Sequence, residues 1–352
     1  MMPSEPTGPR SADLDWCRSA MADVSRTFAI TVDRLAEPMA SHVCVGYLCC
    51  RVADTIEDAG HLSLSERAAA LARYDRVLDP TDGYDGADFL TAVSPLIPTD
   101  PDGKRSPDWV SVAESPRVIR TFEALAREPR ERMRPPIREL VGGMAMFADR
   151  YADDGSVRLR TIAELEEYCW YVAGTVGTLV TELVTRDVEE WRARALAANA
   201  RSFSMLLQLV NVAKDAASDY RDRGDVYLPA AWLADEGIDP SDIAAESNRL
   251  AVARVVRRLA DHAADYLDDA QRYLELLPER HGNRLAAWAI PYLLAVGTIR
   301  ELRRRPSDGV RDGDLKVSRE EVYALIRRFD EGVDRAELAD LRAEMAEHPL
   351  HR

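Results

Sequence analysis

The chain has 352 residues, 46% of them hydrophobic, enough to bury one large core. Its net charge of −15 and pI near 5.0 exclude the clustered positive surface that nucleic-acid binding requires. Ala, Leu and Arg abound and β-branched runs are short, so the expected fold class is all-α, a single bundle around a central cavity. Residues 1–12 lack a basic-then-apolar signal and are expected to form a disordered leader ahead of one domain over 13–352. Asp13–Val24 reads as a first helix, followed by Ser25-Arg26-Thr27-Phe28 and a short apolar piece to Leu35. Pro38 stands where a helix can start, and apolar residues carry that helix to about Asp58, before Gly60.

Within this helix Tyr47, Arg51, Asp54 and Asp58 are spaced four, three and four apart and stay in one narrow sector. Carboxylates one turn apart on a buried-looking helix are costly unless a cation meets them. A hard divalent ion such as Mg²⁺, shared with a phosphate-bearing substrate, is the expected partner.

Ser63 or Ser65 caps a helix over Glu66–Leu78. Residues 94–116 hold five prolines, Pro95, Pro98, Pro101, Pro107 and Pro116, in a polar mix and are expected to be a solvated surface loop. Helices resume over Arg117–Ala126 and Pro136–Tyr151. Thr161 opens a further helix in which Tyr168, Tyr171, Thr175 and Thr178 share a face. Its Gly174 and Gly177 each cost ~1 kcal/mol against Ala, and imply that a neighbouring helix or a bulky apolar ligand comes close. A second acidic helix, about Asn199 to Tyr220, sets Gln208, Asn211, Asp215 and Asp219 three, four and four apart. The turn Arg221–Tyr227 follows, and Ser241–Leu277, Asn283–Leu302, Val317–Phe329 and Asp334–Glu347 complete the helices.

No apolar run reaches the ~20 residues of a spanning helix, and Ala286–Ile299, which contains Pro291, is expected to be a buried core helix. The five cysteines, Cys17, Cys44, Cys49, Cys50 and Cys169, lie in apolar contexts without a Cys-x-x-Cys, so neither disulfides nor a structural zinc are expected. Lys104, Lys214 and Lys316 are the only lysines, and an acidic, lysine-poor surface suits a salt-adapted cytoplasm. An acidic protein of a GC-rich genome is the plainer alternative.

Two facing acidic pairs would form a cage for Mg²⁺ ions around a diphosphate. Loss of a diphosphate needs its charge neutralised by metals and cationic side chains. Arg26, Arg51, Lys214, Arg221 and Arg223 are candidate phosphate contacts, and tyrosines can face a carbocation.

These stretches resemble the head-to-head trans-isoprenyl diphosphate synthases, the squalene and phytoene synthases. The resemblance runs from Ser25 to Leu233. Its carriers are Ser25-Arg26-Thr27-Phe28, Tyr47 through Asp58, Tyr168-Cys169-Trp170-Tyr171-Val172-Ala173-Gly174, and Gln208 through Asn211 to Asp215 and Asp219. It implies Mg²⁺ at Asp54, Asp58, Asp215 and Asp219, and diphosphate held by Tyr47, Arg51 and Arg26. Ser25, Tyr171, Gln208, Asn211, Lys214, Arg221 and Arg223 join the expected substrate contacts. Tyr168 is implied to act near the developing cation or as a proton acceptor.

The Asp-Thr-Ile-Glu-Asp and Tyr-Cys-x-Tyr-Val-Ala-Gly variants look closer to squalene synthases, whereas Tyr227-Leu228-Pro229 looks more like bacterial phytoene and dehydrosqualene synthases. Lys214 and Ser218 stand where the family usually has Arg and Glu, which is read as tuning. The expectation is therefore a squalene synthase that joins two farnesyl diphosphates and uses NADPH. It is cytoplasmic with transient membrane-surface contact and has no obligate protein partner. A phytoene or dehydrosqualene synthase without reductant and an inactive helical paralogue are the alternatives. A di-iron bundle is disfavoured, because no Glu-x-x-His is present.

Overall fold

A computed structural model describes residues 8–312 and 315–351, without the side chains of residues 26–29, 311 and 312. Residues 1–7 of the expected leader lie outside the described residues, and the first helix already starts at Ser11. Among the described residues there are helices and a single isolated parallel bridge, Arg158 to Val226, and no strand. The fold class is all-α, as the composition implies.

The chain opens with α1 (Ser11–Val24), α2 (Arg26–Asp33) and the first acidic helix, α3 (Met39–Glu57). Most of α3 is buried because apolar residues occupy nearly every sector except the polar stripe. Its end is fixed from outside: buried Arg67 donates to the Glu57 carbonyl at 2.9 Å and to the Leu62 carbonyl at 3.2 Å. The first is one of the carbonyls that a helix end leaves without an N–H partner, and the second belongs to the turn that follows. Ser63 caps α4 (Leu64–Leu78) in a capping box with Glu66. Then come α5 (Gly86–Val93), α6 (Pro107–Ala113), α7 (Ser115–Glu123) and α8 (Arg127–Arg150).

The expected loop over 94–116 is corrected by α6. Ser106 caps it and Pro107 sits in its first turn, where a missing N–H costs nothing, so a proline there starts a helix. Likewise α8 begins well before Pro136 and runs through the Pro135-Pro136 pair, because packing against α3 and α4 outweighs the lost N–H donors.

The third informative helix is interrupted. α9 (Ile162–Cys169) passes through a π-turn, Trp170–Gly174, into α10 (Thr175–Val184). A Cβ on Gly174 would fall 2.3 Å from the Trp170 ring, and one on Gly177 would fall 1.9 Å from the Ser204 hydroxyl. The first glycine thus admits a side chain of its own π-turn. The second admits the neighbouring helix, α11 (Glu190–Arg223).

α11 has 34 residues and ends where Gly224 turns left-handed at φ 76°. It spans about 51 Å, longer at both ends than the acidic motif indicates. The C-terminal part holds α12 (Ala230–Asp235), α13 (Arg249–Ala264), α14 (Leu267–Leu276), α15 (Leu285–Arg304), α16 (Pro306–Asp312), α17 (Arg319–Glu331) and α18 (Leu338–Glu347). The helix expected over Ser241–Leu277 is two helices preceded by short 3₁₀ turns.

α15 is apolar and long enough to cross a membrane by composition. It is instead a core helix, with 83% of its most apolar window buried and packing on α11, α13 and α18. All five cysteines are free and buried.

Candidate active site

The polar stripes of α3 and α11 meet at their C-terminal ends, and Arg223 is the join. Its Nη1 lies 3.2 Å from Asp58 of α3, its Nη2 lies 2.9 Å from Asp219 of α11, and its Nε lies 3.2 Å from Asp225 just beyond α11. One planar fork thus holds both acidic motifs, a geometry that Lys cannot supply. The Arg158–Val226 bridge and the Val157 N–H, which donates to Asp225 at 2.8 Å, fix the loop carrying Asp225.

Arg51 makes the second junction. Its Nη1 contacts Asp54 at 2.5 Å, while Nε and Nη2 both donate to Asp108 Oδ1, at 3.0 and 2.6 Å. Asp108 belongs to α6, in the stretch that composition marks as surface loop. Beside it Trp109 packs edge-on against His61, with centroids 5.3 Å apart. Lys214 lies 3.1 Å from Asp215.

Desolvation, reinforced by the charge of Asp58, pushes the Asp54 carboxyl up to about 7. Desolvation likewise pushes Asp219 up to about 6, with Asp215 and Asp58 adding repulsion against the opposing pull of Arg223. Both carboxylates are desolvated, and Arg51 and Arg223 offset only part of what it costs to charge them there. The donor set therefore fits hard divalent ions. Mg²⁺ commonly takes one or two carboxylates and completes its shell with water and phosphate oxygens. Among the described residues no three His, Cys, Asp or Glu side chains gather closely enough to hold an ion by themselves, so the expected four-aspartate cage is not closed by protein groups and an ion here would take its remaining ligands from phosphate and water.

The other expected contacts divide. Tyr47 is half-buried and its hydroxyl meets the Ser25 side chain, so these two are brought together beside Arg51. Tyr168 is buried, stacks on Tyr227 with centroids 4.8 Å apart, and donates to Glu57 at 3.1 Å. Tyr171 lies against Gly143 of α8, where an added Cβ would fall 2.2 Å from its ring.

Gln208 is half-buried and Asn211 exposed, on the same flank of α11 as Asp215. Ser218 turns back to the Asp215 carbonyl at 2.8 Å, away from the cluster. Arg221 departs from expectation. It is exposed, donates to the Ala217 carbonyl, and lines a cavity of about 150 Å³ with Tyr220, Ile243 and Arg249 on the opposite flank of α11. Its two-residue offset from Arg223 turns it some 200° around the helix. The side chain of Arg26 lies outside the described residues.

Glu57, Asp108, Asp225 and Tyr227 were not singled out for roles by sequence. For Glu57 a signal existed, an acid on the apolar side of a helix. For Asp108 there was none, because its partner is 57 residues away.

A family model described as squalene/phytoene synthase matches residues 21–321, most of the chain. The chain belongs to the squalene/phytoene synthase family. It is 31% identical over 284 residues to a phytoene synthase of Pseudescherichia vulneris, covering 79% of this chain and 77% of that enzyme. It is 25% identical over 320 residues to a squalene synthase of Cyberlindnera jadinii, covering 90% and 67%. A 15-cis-phytoene synthase of Enterobacter agglomerans is 37% identical over 139 residues, 39% of this chain, and the match spans 43% of that enzyme. The solved structure of TcSQS with the ligand E5700 superposes with a TM-score of 0.75 at 20% identity, over 96% of this chain and 98% of the other, which establishes the shared fold.

Proposed function

We propose that the chain is a squalene synthase, joining two farnesyl diphosphates head to head through a cyclopropylcarbinyl diphosphate, with NADPH as the hydride-donating co-substrate. The observation that carries the reading is the Arg223 fork, which ties Asp58 of one acidic helix to Asp219 of the other. Asp54 and Asp58 on one side, and Asp215 and Asp219 on the other, would hold Mg²⁺. When bound, such ions offset the charge of a departing diphosphate.

Arg51, Lys214 and Arg223 stand among these carboxylates as the diphosphate contacts, with Arg26 added by family resemblance. Tyr47 and Ser25 support Arg51 from the buried side. Tyr168, held in a desolvated aromatic setting, faces the allyl cation after ionisation and stabilises it through its ring and hydroxyl. Arg221, on the far flank of α11, is left out of this set.

Support for the squalene product comes from the Asp54-Thr55-Ile56-Glu57-Asp58 and Tyr168-Cys169-Trp170-Tyr171-Val172-Ala173-Gly174 variants. The similarity to the Cyberlindnera jadinii squalene synthase along 90% of this chain adds to it. A phytoene-type reaction, with two C20 diphosphates and no reductant, is the second reading. It is favoured by the 31% identity to the Pseudescherichia vulneris phytoene synthase and by Tyr227-Leu228-Pro229. A greasy product and a charged substrate suit a cytoplasmic enzyme that visits the membrane surface.

The test is product identification. Purified protein is given farnesyl or geranylgeranyl diphosphate with Mg²⁺, each with and without NADPH. Squalene that depends on NADPH is the expected result. Phytoene from the C20 substrate alone would replace it with the second reading.

A further inference from the structure

Glu57 sits between Asp54 and Asp58 in sequence but faces a different side of α3. The residue is 7% exposed and, among the described residues, its side-chain donor is the Tyr168 hydroxyl at 3.1 Å. The Tyr168 ring is itself fixed. It stacks on Tyr227 at 4.8 Å and 24°, and Phe147 meets it edge-on at 5.3 Å and 77°. Arg67 pins the Glu57 carbonyl at 2.9 Å, so the last turn of α3 cannot drift. The π-turn begins two residues after Tyr168, a geometry often kept at functional sites and one that leaves the helix less regular there.

A carboxylate buried this deeply is a poor stabiliser, since an apolar side chain of similar volume is often as good or better. Its position is better explained by the hydroxyl it holds. We propose that Glu57 is a positioning residue. It aims the Tyr168 hydroxyl and couples that aim to the helix turn bearing Asp54 and Asp58, while Tyr227 supplies the stacking face. The inference rests on the prenyl-transfer reading of the site. Binding at the acidic stripe then also sets the tyrosine, because all three acidic residues share one turn.

The experiment measures pyrophosphate release and product identity for the wild type, E57Q, E57M and Y227L. E57Q keeps an oxygen that accepts from the hydroxyl, and E57M keeps the volume but not the acceptor. The expected result for E57M is a kcat lower by on the order of 10- to 100-fold, as misplacement of an aligned group gives. KM stays within about twofold, the signature of an interaction made in the transition state. E57Q restores the rate to within about threefold of wild type, and E57M unfolds at no lower temperature than wild type.

In a Y168F background E57M adds no further loss, because the group it aims is gone. Y227L lowers kcat with KM held, and it reads the same arrangement should E57M fail to fold. An E57M enzyme with wild-type kcat, or one whose loss persists undiminished in Y168F, overturns the role. A wild type that releases no pyrophosphate from any prenyl diphosphate removes the functional reading and this role with it.

Discussion

Each of the two central arginines is shared among carboxylates from separate elements. Arg51 joins α3 to α6, and Arg223 joins α3, α11 and the loop after it. Removing one charge from such a cluster separates chemistry from folding. Asp54→Asn and Asp219→Asn should each lower turnover by at least ~100-fold while circular dichroism stays unchanged, the scale expected when a transition-state charge contact is lost. Retained turnover in either variant would take that carboxylate out of the site.

The pH dependence follows from the same residues. Asp54 and Asp219 are held above the ordinary carboxylate range, at about 7 and about 6. A raised folded-state pKa means that the native chain binds the proton more tightly than the unfolded chain. That contribution is full below about pH 4 and is lost as pH rises through 6 and 7. The metal-free Asp54→Asn, Asp219→Asn double variant should therefore gain melting temperature over wild type at pH 8 and little at pH 4. A gain independent of pH would contradict the burial argument.

At the scale of elements, the acidic faces of α3 and α11 were legible because side-chain spacing on a helix is a local property. What sequence could not give was set by distant packing. α6 was hidden by proline density, although Pro107 serves as a helix start and Asp108 then reaches Arg51. The π-turn was hidden because Trp170 and Gly174 reshape a helix whose residues otherwise read as regular. Arg221 and Arg223 looked equivalent as neighbouring cations, and only the end of α11 at Gly224 decides which one faces the aspartates.

The contact of Tyr171 with Gly143 offers a test at this scale. An added Cβ would lie within 2.4 Å of the Tyr171 Cβ as well as its ring, so α8 and the π-turn would have to separate. Gly143→Ala should destabilise by about 1–3 kcal/mol, the usual range for overpacking, as read by denaturant unfolding. A neutral effect would show that the two elements are not held this closely.

At the scale of the molecule, the charge of −15 exceeds what the surface ion pairs can balance. Salt weakens those pairs but also screens the larger self-repulsion. The melting temperature should therefore rise from about 0.1 M to about 1 M KCl. A flat or falling curve would show that the pairs outweigh the net charge and would remove the salt-adapted reading.

The account depends most on α3 and α11 sharing one metal-and-diphosphate site. The most direct measurement is a crystal structure with Mn²⁺ and a non-hydrolysable farnesyl diphosphate analogue, the ion located by anomalous scattering. The account predicts Mn²⁺ between the diphosphate and the carboxylates of both Asp54/Asp58 and Asp215/Asp219. An analogue bound away from Arg51 and Arg223, or metal at neither acidic pair, would contradict it.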